Sequence, residues 1–374
     1  LEAPDFMNLL FLQRIDQAGG GSRASLGTTL QALRDNRPEW ALALATRDVG
    51  PLGKKASQMG VSHFTEPMPH FRKLWQRPAF EMACRRLAVR AAALKPDAIV
   101  SNEWVTAPHA LKAARHLRVP AMSYVRDFAA VTRGRKYQLH RMDRLLCVCE
   151  TMRQAMIGVG YDPEKVRTVY NPVLPPAGNV PDEALRARIL ERTGVDRWLF
   201  YLGRISPRKN QVEAVETLRH LQAITGDRWG LLLAGDADED YEVELDRMVA
   251  ASGMDSQVVK LGLVERPGWL FDLAEAFVMT SKSEGLARVL IESFLCGKPA
   301  FSLPQDGLED IYGDALSFFV PASRNPADLA EKIAASLAAG DCLRNHTREI
   351  TLLLQNRHSL SGHIASFEAA VRVD

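Results

Sequence analysis

Long apolar runs are missing from this 374-residue chain. No stretch approaches the roughly 20 residues that span a bilayer. The short apolar run at residues 7–12 is followed at once by Gln13 and Arg14, so it reads as a buried strand and not as a signal peptide. Cysteine is scarce. Cys84, Cys147, Cys149, Cys296 and Cys342 form no CxxC pair, and their spacing suits neither a zinc site nor a disulfide framework. A reducing cytoplasm is the simplest home for such a chain. No tandem repeat of about 20–50 residues is visible. Gly19-Gly20-Gly21 lacks the GxGxxG spacing, and no acid about 20 residues further on sits at a strand end, which argues against a dinucleotide fingerprint. No nucleic-acid-binding module and no set of stacking aromatics can be recognised.

What is present fits an ordinary globular protein: 47% apolar and 25% charged residues, in a length that favours two domains. Net charge is only +2, but it is unevenly spread. Residues 1–180 hold 26 Lys and Arg against 15 Asp and Glu, a balance of +11; the remainder hold 21 against 30, a balance of −9. The first half is therefore expected to meet something anionic: nucleic acid, a membrane surface or an anionic acceptor. Two stretches carry much of this charge, residues 71–80, where aromatics and cations interleave, and residues 133–141. Cations beside apolar rings suit an interfacial segment on an anionic leaflet or a grip on an anionic acceptor, and equally a solvated helical face.

Short apolar runs alternate with amphipathic stretches. Strands are expected at 8–12, 41–45, 98–101, 121–125 and 144–148, and helices at 22–36, 79–94, 107–117, 135–142 and 150–159. The second half repeats the theme, with strands at 198–202, 230–234, 258–261, 276–280 and 299–303, and helices at 211–224, 241–252, 269–274, 288–296 and 327–339. Such alternation predicts α/β architecture: two Rossmann-like, doubly wound parallel sheets. Four prolines and a glycine at 170–181 mark the boundary. The expected division is 1–172, 173–355 and a C-terminal helix, 356–374, that can pack back on the first domain. Ligands of open α/β sheets bind beyond the carboxyl ends of the strands, so a cleft between two such sheets is the natural active site.

Two strings carry the chemistry. Gly203-Arg204 follows an apolar strand, Pro207 halts an early helix, and Lys209 precedes Asn210, which can cap the helix that follows. Arg204 and Lys209 thus lie on a loop at a strand's carboxyl end, where fixed cations stabilise charge on a departing diphosphate. Solvated surface cations would look the same. The second string runs Glu284-Gly285-Leu286-Ala287-Arg288, with Glu292 one turn into the next helix. Helix-start amides bind phosphate, and Gly285 can adopt positive φ for close approach. Glu292 can accept from a ribose diol, or simply complement the helix dipole.

In this order, the set resembles the retaining GT-B glycosyltransferases of family 4. The Gly203-Arg204 and Lys209 spacing matches that family's diphosphate motif, and Glu284 with Glu292 matches its spaced glutamates. Asp97 to Trp104, Cys149-Glu150, Asn171-Pro172, Ala234-Gly235-Asp236 and Asp306 to Asp310 fall in family order. The resemblance implies two domains facing across a cleft and transfer of a hexose from a UDP- or GDP-sugar, with retention. The basic first half and the absence of a membrane span point to a saccharide or lipid-linked saccharide of cell-envelope glycan synthesis as the acceptor. By the same resemblance, Arg204 and Lys209 bind the diphosphate with Gly203. Glu292 holds the ribose. Glu284 and the amides of Gly285, Leu286, Ala287 and Arg288 touch the sugar. Gly20 and Gly21 lie against the diphosphate. The base meets backbone at Leu263 and Val264.

The family commonly has Gly where Ala287 stands, an aliphatic residue at Arg288 and a His at Arg126. Arg126 can instead neutralise the donor or bind an anionic acceptor, and Asp127 can bond the sugar or orient Arg126; a structural Arg–Asp pair is the plain alternative. Asn102 and Glu103 are acceptor-side candidates. No cofactor and no metal are implied, because cations and amides replace a metal; Asp236-Ala237-Asp238 resembles a family loop and not a metal-binding Asp-x-Asp. A cytoplasmic protein with optional contact to an anionic membrane, and no nucleic-acid partner, is the resulting expectation. The competing readings are a GT-B nucleotide-sugar epimerase and a non-catalytic glycan- or nucleic-acid-binding protein on the same fold.

Overall fold

A computed structural model describes residues 6–14, 21–177, 180–193, 195 and 197–372. The chain forms two compact units, Leu1–Pro172 with Arg357–Asp374, and Val173–Asn356.

The first unit is built on seven parallel strands: β1 (Asn8–Gln13), β2 (Ala41–Thr46), β3 (Ser62–Thr65), β4 (Ala98–Ser101), β5 (Ala121–Val125), β6 (Arg144–Cys147) and β7 (Val166–Thr168). Their order is β3-β2-β1-β4-β5-β6-β7. β1 pairs with β2 from Asn8↔Ala41 to Gln13↔Thr46 and with β4 from Leu9↔Ala98 to Leu12↔Ser101. Leu9 to Leu12 are all buried, as expected of a central parallel strand covered on both faces. The strand order reverses between β1 and β4, and such a reversal opens a crevice at the carboxyl edge of the sheet. The helix Leu360–Val371 completes this unit: its Phe367 ring stacks on Phe11 at 6.0 Å and on Tyr124 at 6.3 Å. His363 of the same helix bridges Thr29 Oγ1 (2.9 Å) and the Tyr170 carbonyl (2.7 Å). Burial pushes His363 down to about 4, so it is neutral and serves as a structural bridge.

The second unit has five parallel strands: β8 (Arg197–Leu202), β9 (Trp229–Ala234), β10 (Val258–Gly262), β11 (Ala276–Met279) and β12 (Ala300–Ser302), in the order β10-β9-β8-β11-β12. Here the reversal falls between β8 and β11. Trp198 lies opposite Gly230 across the β8–β9 ladder, and any side chain at 230 would strike the indole ring. Phe200, Phe271 and Phe277 pack ring to ring at 5.0–5.8 Å beneath the sheet.

Several elements differ from the expectation. The short edge strands β3 and β7 were not foreseen, nor were the helices Pro51–Gln58, Glu183–Thr193 and Asp341–Arg357. The helix expected at 135–142 is replaced by two 3-10 turns, Gly134–Tyr137 and Leu139–Arg141, separated by Gln138 at φ 63°. A left-handed residue cannot continue an α-helix. Pro78 lies in the first turn of the helix Arg77–Ala92, where its missing N–H is harmless.

Candidate active site

In the second unit, the loops after β8 and β11 meet at the strand-order reversal. Gly203 leaves β8 at φ +159°, and its N–H donates to the Ala234 carbonyl at 2.8 Å. Gly235, at the end of β9, has φ +150°, and a Cβ there would drive into the Gly203 carbonyl. Two glycines therefore let adjacent strand ends close on each other. The loop then returns so that Lys209 Cε lies 3.4 Å from where a Gly203 Cβ would be. The Tyr201 hydroxyl donates to the Lys209 carbonyl at 2.6 Å and fixes that return.

Glu284 receives two of the three cations of this loop. Lys209 Nζ lies 2.7 Å from Oε1, and Arg208 Nη1 lies 2.9 Å from Oε2. Arg208 Nη1 also donates to the Ser283 carbonyl at 3.0 Å. Burial pushes the Glu284 carboxyl up, but Lys209 and Arg208 together outweigh burial and hold it below the usual carboxylate range. Arg204 is exposed and makes no ion pair among the described residues. Eight residues on, Glu292 is buried in the helix Arg288–Leu295 and accepts from Arg288 Nε at 2.7 Å. Its balance has the opposite sign: burial raises the carboxyl above the usual range, and Arg288 and Lys209 offset that only in part. Arg288 Nη1 is buried with no hydrogen-bond partner among the described residues.

Two local expectations need correction. Asn210 stands at the N-cap position of the helix Gln211–Thr225, but in the left-handed conformation (φ 56°), and its side chain makes no cap bond. A cap side chain reaches the first amides from extended backbone, which Asn210 does not have. Gly285 is not among the positive-φ glycines, so the left-handed conformation expected there is not adopted. Leu286 packs partly on the core and Ala287 is buried; their amides make no hydrogen bond among the described residues. Leu263 is 74% exposed and Val264 half-buried after β10, where the Gly262 carbonyl accepts from Gly235 N at 2.8 Å.

Arg208 and Arg324 escaped the sequence reading. Arg324 Nη1 donates to the carbonyls of Pro304 (2.9 Å) and Ser281 (3.1 Å), and Nη2 to Thr280 O (3.2 Å) and Glu213 Oε2 (2.9 Å). One guanidinium thus ties the ends of β11 and β12 to the helix Gln211–Thr225, and so positions the loop that carries Glu284. Arg208 lay inside the motif; Arg324 had no local signal.

In the first unit, a polar chain lines the reversal between β1 and β4. Asn102 is fully buried, and its Nδ2 donates to Gln13 Oε1 at 2.5 Å and to the Ser22 carbonyl at 3.2 Å. Gln13 Nε2 donates to Glu103 Oε1 at 2.8 Å. Arg126 Nε donates to Asn102 O (3.1 Å) and Oδ1 (3.0 Å), its Nη1 donates to Asn171 Oδ1, and its guanidinium lies 4.0 Å above the Tyr124 ring. Arg126 Nη2 is buried with no hydrogen-bond partner among the described residues. Burial lowers Arg126 to about 10, against the pull of Tyr124 and Glu103, so it remains a cation at neutral pH. The structural Arg126–Asp127 pair, the plain alternative, is not formed among the described residues. Asp127 is exposed and its Oδ1 accepts from Ala129 N at 2.7 Å, because a carboxylate two residues ahead is in reach of that turn's amide. Gly21 opens the helix Gly21–Asn36 and is exposed; Gly20 lies outside the described residues. Among the described residues, no group of three or more His, Cys, Asp and Glu is placed to hold a metal ion, and no helix is long and apolar enough to cross a membrane.

Comparisons with known proteins cover both units. Residues 19–175 match the model of Glycosyltransferase Family 4, and residues 185–350 that of Glycosyl transferases group 1. The chain belongs to the group 1 glycosyltransferases of GT-B fold. Among curated proteins, the Vi polysaccharide biosynthesis protein VipC/TviE of Salmonella typhi is 23% identical over 209 residues, 54% of this chain and 36% of that protein. The chain therefore spans about a third of the curated relative it matches. Among solved structures, Anabaena Alr3699/HepE in complex with UDP and glucose has a TM-score of 0.80 at 17% identity, covering 98% of this chain and 100% of that one. The same Anabaena protein has been solved with UDP-glucose. Sucrose-phosphate synthase of Thermosynechococcus elongatus has a TM-score of 0.72 at 15% identity, with 97% and 98% covered.

Proposed function

We propose that this glycosyltransferase moves a hexose from a UDP-sugar, with GDP as the alternative base, to a saccharide or lipid-linked saccharide in cell-envelope glycan synthesis. The observation that carries the donor side is the junction at β8 and β11, where Lys209 and Arg208 converge on Glu284 beside the exposed Arg204. The UDP-sugar complexes of the Anabaena protein support the choice of base, and the polysaccharide role of the Salmonella protein supports the acceptor class.

In this reading, the bond between the anomeric carbon and the diphosphate oxygen breaks while the acceptor oxygen bonds to the same face. The acceptor proton passes to the departing diphosphate. Arg204 and Lys209 take the growing negative charge, which they stabilise more in the transition state than in the bound substrate. Glu284 stays ionised because Lys209 and Arg208 hold it so, and it favours positive charge at the anomeric carbon. Glu292 accepts from the ribose hydroxyls. Leu263 and Val264 offer backbone to the base, and Arg126 with Asn102 and Glu103 faces the acceptor side. No metal takes part, the two cations and the helix-start amides supplying its charge.

The test is incubation with UDP- and GDP-sugars, with and without EDTA, following free nucleotide, epimerised donor and hydrolysed sugar, alongside a thermal-shift screen of nucleoside diphosphates. Nucleotide release that survives EDTA is expected. An epimer would favour epimerase chemistry. Absence of both turnover and stabilisation by any nucleotide would leave a non-catalytic binding protein.

One further observation supports peripheral contact with an anionic membrane on a cytoplasmic face. Leu74, Trp75, Met82 and Val89 are 54–75% exposed along the segment that leads into and through the helix Arg77–Ala92, among exposed Arg72, Lys73, Arg77 and Arg85. Apolar side chains ringed by cations favour anionic lipid. Co-flotation with phosphatidylglycerol vesicles but not phosphatidylcholine vesicles is expected, and equal behaviour with both would remove this reading.

A further inference from the structure

The donor chemistry leaves one cluster of the first unit unused. Arg14, Arg47, His70 and Lys73 lie just beyond the carboxyl ends of β1, β2 and β3, three strands that neighbour one another in the sheet. Arg14 Nη2 lies 2.6 Å from His70 Nε2, and Arg14 Nε donates to the Met68 carbonyl at 3.3 Å. The imidazole therefore turns a lone pair to the guanidinium and is neutral. Burial, then Arg14, Lys73 and Arg47, all push His70 down, and burial and Arg47 push Arg14 down, with only Glu103 and Tyr137 opposing.

Of the nearby acids, Asp48 pairs with Arg47 Nε at 2.7 Å within the cluster, and Glu103 Oε1 accepts from Gln13 and, at 3.3 Å, from Ser22 Oγ. Neither Arg14 nor Lys73 makes an ion pair with a carboxylate among the described residues. With Arg47 beside them, Arg14 and Lys73 are cations without a carboxylate partner among the described residues at a sheet's ligand-binding edge, and they hold charge that folding alone does not use. An arginine with part of its fork still open suits a carboxylate or a phosphate oxygen.

We propose that Arg14, Arg47 and Lys73, with His70 orienting Arg14, bind an anionic group, a uronic-acid carboxylate or a phosphate, on the acceptor saccharide. This rests on the acceptor reading of the first unit given above. It makes the sheet edge a selector of acidic over neutral acceptors.

The experiment uses the full chain and saturation-transfer NMR titrations with three probes: a uronic-acid disaccharide, its carboxyl-reduced neutral counterpart, and the neutral disaccharide carrying a phosphate ester. Wild type is compared with Arg14→Gln, Arg47→Gln and the exposed-site variant Lys73→Gln, and thermal stabilisation by UDP is recorded for each. Wild type is expected to bind at least one acidic probe about tenfold more tightly than the neutral one. The better acidic probe identifies the group. The preference should fall in all three variants while stabilisation by UDP is unchanged. Equal binding of acidic and neutral probes, no binding of any probe, or a charge preference that survives in Lys73→Gln and Arg14→Gln would overturn the proposal. If UDP stabilises the protein and the charge preference is absent, this proposal alone fails. If the preference holds but no nucleoside diphosphate stabilises the protein, the donor reading fails instead.

Discussion

The two sheet edges handle charge in opposite ways. In the second unit, cations are matched by carboxylates: Lys209 and Arg208 by Glu284, Arg288 by Glu292. In the first unit, Arg126 is held by neutral amides and an aromatic face, and Arg14 leans on an imidazole. Apart from the exposed Arg204, which has no ion pair among the described residues, the cations of the matched edge can accept a diphosphate only by sharing, so those ion pairs must rearrange. At the first edge Arg47 is paired with Asp48, but Arg14 and Lys73 meet an anion with no ion pair to break among the described residues. The lesson is that a basic surface and a neutralised one can both serve anions, the first by standing attraction and the second by exchange.

Four experiments would break or sharpen this contrast. The largest effect is expected from Lys209→Ala and Glu292→Ala, each lowering donor turnover by tenfold or more, or at least about 1.4 kcal/mol, in folded protein. Near-normal turnover in both would dissolve the matched edge as a donor site. Next, Arg126→Ala is expected to cut transfer by about five- to tenfold with little change in melting temperature, and Arg126→Lys to rescue little, because one ammonium nitrogen replaces the separate Nε and Nη1 donors that reach Asn102 and Asn171. A variant that fails to fold would make Arg126 a structural group. Third, Gly235→Ala forces a Cβ into the Gly203 carbonyl at positive φ, and chemical denaturation should show a loss of about 1–2 kcal/mol.

The smallest effect is a difference of sign between two glutamates. Glu284 has a depressed carboxyl, so its stabilising contribution is complete above the unfolded value of about 4.3 and fades as pH falls through its lower folded value. Glu292 has a raised one, so the stability it contributes is complete below about 4.3 and fades as pH rises through its higher folded value. Melting curves between acid and neutral pH should therefore show Glu284→Gln losing most against wild type near neutrality, and Glu292→Gln gaining there. Parallel pH profiles for the two variants would contradict the charge balance described at this edge.

Much of the sheet architecture was legible because central parallel strands are buried on both faces and read as unbroken apolar runs, as in Leu9 to Leu12. β3 and β7 were not, since Ser-His-Phe-Thr and Val-Arg-Thr are short edge segments with mixed polarity. The Gly203, Arg204, Lys209, Glu284 and Glu292 spacing was legible because each string is local. Arg324 and the Arg14, Arg47 and His70 cluster were invisible for the converse reason. They are assembled by strand order, β3 beside β2 beside β1, and no local spacing encodes which strand ends become neighbours.

The helix Leu360–Val371 belongs to the first unit although it follows the whole of the second in the chain. During synthesis, the ring of Phe367 and the imidazole of His363 reach Phe11, Tyr124 and Thr29 only after every residue of the second unit has left the ribosome. The earlier-made sheet must therefore wait with one flank uncovered while the later-made one, contiguous in sequence, can close first.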